Sequence, residues 1–172
     1  VSEASEKMIA ENDSNCSRIN DPKIADEREN LVPLLELGAT TFQQYAFRWD
    51  LLDYQKKVEV DIEGIPFIGY TDFHFEDKTT KEDFFIDLKT SKNLPQQISI
   101  SHAMQQSIYQ RATNAKQLLW YFKTPTKTKG AEYRAMTLDD YSHPMRICEH
   151  ILKVMGNYLS KVNTIDDVRD SL

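Results

Sequence analysis

The sequence predicts an α/β fold in which helices flank a mixed β-sheet. Three strand-like segments follow a long helical stretch, an amphipathic helix then leads to two further strands, and another amphipathic helix ends the series. A helical crossover after three consecutive strands makes the predicted sheet mixed rather than purely antiparallel. With 172 residues, 40% of them hydrophobic, the chain has the size of one domain and can bury a substantial core.

The first predicted element is a helix that runs from Asp21 to about Asp53. Asp21 suits the N-cap and Pro22 suits the first helical position. Gly38 is a position at which this helix could bend. The apolar stripe that repeats at roughly 100° per residue consists of Leu31, Leu34, Leu35, Phe42, Tyr45 and Trp49.

Strand patterns come next. Residues 58–62 alternate Val or Ile with acidic residues, which indicates a half-buried strand. Residues 67–75 are aromatic and β-branched and predict a second strand, and residues 84–88 predict a short third one. Because residues 76–83 are charged and lack apolar side chains, we expect them to form the loop between the last two strands.

The second half of the chain completes the sheet. Residues 99–113 predict a helix, and the continuously apolar residues 117–122 predict a buried central strand. Residues 133–136 indicate an edge strand, and residues 141–162 indicate an amphipathic closing helix.

Composition restricts the classes of protein. No apolar run is long enough to span a membrane, and no signal peptide is predicted, so we expect a cytoplasmic protein. A net charge of −6 argues against broad adhesion to nucleic acid but allows a local basic groove. Cys16 and Cys148 form no CxxC pair, so neither zinc nor an iron–sulfur cluster is indicated, and reduced thiols are expected.

Two acidic residues fall on the second and third strands. Asp72 ends a Gly-Tyr-Thr-Asp sequence, and Asp87 begins an Asp-Leu-Lys sequence. On adjacent antiparallel strands, side chains that face the same way lie close together, and two such carboxylates repel each other unless a cation lies between them. Mg²⁺ (or Mn²⁺) suits such a site, since it takes one or two carboxylates together with water and phosphate oxygens.

Lys89 is predicted to lie beside this pair. Strand alternation points Asp87 and Lys89 to one face, while Leu88 points into the core and its backbone carbonyl could face the metal. Lys89 could then orient or activate water, or stabilise the charge of a phosphoryl transition state. An alternative stays open: Asp87 interrupts an apolar strand, and a structural ion pair with Lys89 would also offset the cost of its charge.

The following helix carries a third polar pair. Gln105 and Tyr109 are four residues apart and share a face, which suits contact with a nucleotide or a phosphate. The alternative is that Tyr109 packs in the interior and Gln105 is solvated. His102 could join the same face, although a lone histidine is more often structural.

Taken in order, Gly69–Asp72, Asp87–Thr90 and the Gln-x-x-x-Tyr of 105–109 resemble the RecB-like and phage exonuclease branch of the PD-(D/E)xK nucleases. The resemblance covers about residues 56–123 and implies a restriction-endonuclease-like core of order α-β-β-β-α-β. It divides a single domain into a helical part at 1–53, a catalytic core at 56–123, and an edge strand with a closing helix at 133–172.

The resemblance also implies roles. Asp72, Asp87 and the carbonyl of Leu88 would bind the metal, Lys89 would be the catalytic lysine, and Gln105 and Tyr109 would contact DNA or orient the site.

It further implies a helix acid before the first strand, for which Glu6 and Glu36 are the candidates; Glu36 lies roughly 140° from the Leu31 stripe. The function that the resemblance implies is a metal-dependent DNA exonuclease of recombination, repair or phage DNA processing, in the cytoplasm of a bacterial cell or a phage-infected host. The alternative is an inactive DNA-binding or assembly module of the same fold. The lysines that could line a phosphate groove are Lys89, Lys92, Lys116, Lys123, Lys127 and Lys129.

Overall fold

A computed structural model of the chain describes residues 22–126 and 129–160, with side chains from residue 28 onward. In this part of the chain, helices and strands alternate in the predicted order. The elements are α1 (Pro22–Tyr45), β1 (Trp49–Ile62), β2 (Ile65–Asp77), β3 (Asp83–Ser91), α2 (Ile100–Thr113), β4 (Lys116–Lys123), β5 (Glu132–Thr137) and α3 (Ser142–Leu159).

The five strands form one mixed sheet in the order β1-β2-β3-β4-β5. β1 pairs with β2, β2 with β3, and β4 with β5 in the antiparallel sense, whereas β3 and β4 are parallel. The parallel pair requires a crossover, and α2 supplies it. Because β3 pairs with β2 only over Phe73–Glu76, the other half of the β1–β2 hairpin extends beyond β3.

Each face of the sheet has its own hydrophobic core. On the α1 face, aromatic rings of β2, β3 and β4 pack against α1, with Phe42 stacked on Trp120 at 4.9 Å. On the other face, α2 and α3 cover the β1–β2 hairpin, and Cys148 and Leu152 of α3 pack with Ile62. The side chains of β3 therefore alternate between an apolar α1 face and a face toward α2.

The first helix is shorter than predicted. α1 ends at Tyr45, a turn follows in which the Arg48 N–H donates to the Tyr45 carbonyl at 2.9 Å, and β1 begins at Trp49. The prediction of helix through Asp53 is therefore wrong for residues 46–53. Trp49 is nevertheless part of the same apolar surface as the helical stripe, since its ring stacks on that of Tyr45 at 4.1 Å. It makes this contact from the strand β1. Gly38 lies inside α1 and does not interrupt it.

Several expectations concern residues outside the described part. Glu6, Cys16 and Lys127 belong to this group, as does the end of the closing helix beyond residue 160. Cys148 is a buried free thiol. None of the described helices combines the length and apolarity needed to cross a membrane.

Candidate active site

Asp72 and Asp87 occupy neighbouring positions on β2 and β3. The last pair of the β2–β3 ladder is Phe73 with Ile86, so the next rung is that of Asp72 and Asp87. Residues opposite each other on antiparallel strands share a face, and here it is the face toward α2, since Ile86 belongs to the core on the α1 side. The structure thus brings together the two acids that the sequence singled out.

Asp87 is a buried acid with an incomplete set of partners. It is 5% exposed, and the Lys89 ammonium lies 2.5 Å from its Oδ2. Apart from this ion pair, Oδ2 is buried without a hydrogen-bond partner among the described residues. Burial raises the pKa of Asp87 above its ordinary value; Lys89 counteracts this rise, and the Asp72 carboxylate adds to it.

Asp72 is held by the backbone of the neighbouring strand. The N–H of Leu88 donates to Asp72 Oδ2 at 2.7 Å. A carboxylate that accepts a backbone N–H is fixed in orientation, which prepares it for a ligand on its other oxygen. The predicted contribution of Leu88 was its carbonyl; what the structure adds is that its amide orients Asp72.

His102 and Tyr121 complete a polar cluster around Lys89. Tyr121 is the partner of Lys89 on the parallel strand β4, is 3% exposed, and lies with its Oη 2.7 Å from His102 Nδ1. Burial lowers the pKa of His102, and the nearby Lys89 lowers it further, while Asp87 acts in the opposite direction. Burial also raises the pKa of Tyr121, with a smaller contribution from Asp87.

This cluster was only partly foreseen. From sequence, His102 was expected to be structural more often than functional, and Tyr121 was not singled out. The available signal was the continuous apolar run of β4, because a tyrosine hydroxyl inside such a strand needs a partner when it is buried.

Gln105 and Tyr109 share a face of α2, as their spacing predicts, and their contacts are internal. Tyr109 is 8% exposed, its hydroxyl donates to the Tyr70 carbonyl at 3.1 Å, and Gln105 Nε2 donates to the same hydroxyl at 3.3 Å. A Cβ atom added at Gly69 would lie 2.6 Å from the Tyr109 ring. The Gly and the Tyr of the two motifs therefore touch each other, which supports the packing interpretation of Tyr109.

The donor set fits a hard divalent cation in part. Asp72 and Asp87 supply two carboxylates on one face, and the buried Oδ2 of Asp87, which now contacts the Lys89 ammonium, is an atom that a metal cation could take over. Across residues 22–126 and 129–160, no three His, Cys, Asp or Glu side chains form a metal-binding group. Glu36 is exposed on α1, and Glu6 lies outside the described residues.

The five candidate lysines in the described part of the chain do not line a single groove. Lys116 begins β4 and Lys123 ends it, seven residues apart, which corresponds to roughly 23 Å along a strand. Lys123 lies 3.4 Å from Glu132, so part of its charge is already neutralised. Among these five, Lys89 is the one that contacts the acid pair.

A groove of about 830 Å³ lies beside the acid pair and not at it. His74 and Phe85 line it, two residues further along β2 and β3, with the C-terminal end of α2 as its other wall. His74 Nε2 lies 3.0 Å from Asp83 Oδ2, and its Nδ1 lies 3.4 Å from Lys56 Nζ. Three of the groups in this groove, His74, Asp83 and Lys56, pair with one another, whereas Asp87 is distinguished by its burial.

Comparisons with known proteins support the fold. No protein-family model matches the sequence, and no match is found among curated proteins. A solved structure named "Putative exonuclease", from Eubacterium rectale, has 14% sequence identity and a TM-score of 0.54; the match covers 79% of this chain and 55% of the other. The structure of SSO0001 has 20% identity and a TM-score of 0.46, with 88% of this chain and 68% of the other covered.

The fold is therefore α/β, a mixed five-stranded sheet flanked by helices, and is consistent with a restriction-endonuclease-like core. The chain spans little more than half the length of the Eubacterium rectale protein. At this level of identity the likeness concerns the fold alone.

Proposed function

We propose that this chain is a metal-dependent nuclease that hydrolyses phosphodiester bonds of DNA. One observation carries the proposal: two carboxylates, one of them buried, lie on neighbouring strands at the same rung, and a lysine ammonium lies 2.5 Å from an oxygen of the buried one. The resemblance of the motifs to the RecB-like and phage exonuclease branch supports it, and so does the fold of a structural neighbour named as an exonuclease.

The residues of the site would have separate roles in hydrolysis. Asp72 and Asp87 would hold a Mg²⁺ or Mn²⁺ ion, with the Leu88 carbonyl as a proposed further ligand; such an ion polarises a phosphate oxygen and lowers the pKa of bound water. Lys89 then lies beside the scissile phosphate, where its ammonium stabilises the negative charge that develops in the transition state. The Leu88 N–H keeps Asp72 in position throughout.

Within this proposal, an exonuclease is favoured over a sequence-specific endonuclease on the strength of the motif resemblance. Gln105 remains the proposed substrate contact of its motif, since it is only half-buried at the edge of α2. Tyr109 would hold the Gln105 side chain in position through the hydrogen bond between them.

The test is a nuclease assay on linear duplex and single-stranded DNA with Mg²⁺ or Mn²⁺. We expect Asp87→Ala to lower the rate by at least about 100-fold, because a metal ligand and the partner of Lys89 are lost together. Asp53→Ala is the matched control, since Asp53 is an exposed acid on the adjacent strand β1, and it should retain the wild-type rate. Equal rates for wild type and Asp87→Ala would refute the assignment.

A second candidate is an inactive DNA-binding or assembly module of the same fold. It is favoured by the lack of a third metal-binding side chain in the described part of the chain and by the net charge of −6. Calorimetric titration with Mn²⁺ separates the two candidates: an active centre binds the ion and loses it in Asp72→Asn, whereas an inactive module shows no such binding.

A further inference from the structure

The direction in which β2 side chains point changes at Asp72. Before it, Phe67 packs with residues of α2 and Gly69 lies against the Tyr109 ring, so odd-numbered residues face α2. After it, Phe73 packs in the core on the α1 side, while His74 stacks on Phe85 in the groove below α2. Beyond Asp72 the even-numbered residues therefore face α2.

Strict alternation would misplace Asp72. Successive residues of a strand point to opposite faces, so counting forward from Gly69 puts residue 72 on the α1 face. That face holds the aromatic core, where an unpaired carboxylate is costly. A change of phase just before Asp72 is what lets its carboxylate reach the Leu88 N–H and share a face with Asp87.

The neighbouring strand β1 changes phase at the same rung. Lys56 pairs with Thr71 and reaches His74 on the α2 side, whereas Tyr54 pairs with Phe73 of the α1 core. Gln55 lies between these two pairs on β1, as Asp72 does on β2; the two residues are not paired in the ladder, and Gln55 has a φ of 48°.

A residue other than Gly adopts this left-handed conformation at a cost, and irregular residues of this kind in strands re-aim neighbouring side chains. The Gln55 side chain is exposed, so its contribution lies in the backbone conformation.

We propose that Gln55 is a positioning residue for Asp72: its left-handed conformation sets the change of phase in the β1–β2 hairpin that turns the Asp72 carboxylate toward Asp87. The metal-binding consequence rests on the proposed function, whereas the orientation of Asp72 does not. Because glycine adopts the left-handed conformation without cost, Gln55→Gly should keep the change of phase. A β-branched residue resists this conformation.

The test compares Gln55→Gly with Gln55→Val and uses Lys81→Val as the matched control. Lys81 has a φ of 61° in the β2–β3 loop, so valine there imposes the same kind of backbone strain away from Asp72. The first readout needs no metal: the Leu88 amide proton, bonded to Asp72 Oδ2, is followed by NMR for its chemical shift and its protection from exchange.

We expect Gln55→Val to lose protection of the Leu88 amide by at least about tenfold, while Gln55→Gly and Lys81→Val keep it. Mn²⁺ titration of the same proteins should show about tenfold weaker binding for Gln55→Val alone. A protected Leu88 amide in a folded Gln55→Val protein would overturn the inference. If wild type bound no Mn²⁺ but the amide pattern held, the proposed function would fail and the positioning role would stand.

Discussion

Gly69→Ala tests the contact between the two motifs. The added Cβ would lie 2.6 Å from Tyr109 Cε1 and 3.1 Å from its hydroxyl, whereas carbon atoms in contact normally lie about 3.5–4.0 Å apart. The ring must therefore move by about 1 Å. It has little freedom to do so, because Tyr109 is buried and its hydroxyl is bonded to the Tyr70 carbonyl.

The expected net loss is about 2 kcal/mol. Overpacking of this kind costs about 1–3 kcal/mol, and a weakened hydrogen bond adds about 1 kcal/mol. Against this, Ala in a strand gains about 0.5–1 kcal/mol over Gly. For a domain of this size, the loss corresponds to a fall in Tm of about 4–8 °C.

The assay is urea denaturation of wild type, Gly69→Ala, Tyr109→Leu and the double variant. Because the clash requires both side chains, Gly69→Ala should cost at least about 1 kcal/mol less in the Tyr109→Leu background. Gly38→Ala is the control: its Cβ meets no atom within 4 Å, and it should stabilise α1 by about 0.5–1 kcal/mol. A Gly69→Ala protein as stable as wild type would refute the close approach.

Three further variants test the cluster around Asp87. Asp87→Asn should raise the free energy of unfolding in metal-free buffer at pH 8, because the pKa of Asp87 is raised in the folded state. The gain is full above this folded-state pKa and disappears as the pH falls to the pKa of the unfolded chain. Urea denaturation at pH 4 and pH 8 measures the difference. Lys89→Met should have the opposite sign and lower the stability by about 2 kcal/mol near neutral pH, since it leaves a buried carboxylate without its cation; an unchanged urea midpoint would contradict the ion pair. Tyr121→Phe removes the hydroxyl that contacts His102 and should cost about 1 kcal/mol in urea denaturation, and an unchanged free energy of unfolding would contradict this contact.

Local patterns predicted most of the sheet and the acid pair. Alternation of Val and Ile with acids placed the second half of β1, at residues 58–62, because burial of one face enforces a period of two. The charged stretch placed the β2–β3 loop. The pairing of the two strands that carry Asp72 and Asp87 followed from the hairpin between them, whereas their shared rung is known from the register of the structure.

Tertiary contacts explain what local patterns missed. The end of α1 was misplaced because Trp49 packs in the same aromatic core as Tyr45. Tyr45 reaches this core from the helix, and Trp49 reaches it from β1. The phase change at Gln55 has no sequence signature, since glutamine is not a residue that favours a left-handed backbone. The contact between Tyr121 and His102 depends on tertiary structure, because the parallel pairing of β3 and β4 places α2 over the sheet.

The central claim is that Asp72 and Asp87 together bind a divalent metal ion. The most direct measurement is a crystal structure of the protein soaked in Mn²⁺, with anomalous scattering used to locate the ion. The account predicts one strong peak between the carboxylates of Asp72 and Asp87, with Lys89 displaced from the Asp87 Oδ2 that it contacts now. A peak elsewhere on the chain, or an Asp87–Lys89 ion pair unchanged at saturating Mn²⁺, would contradict it.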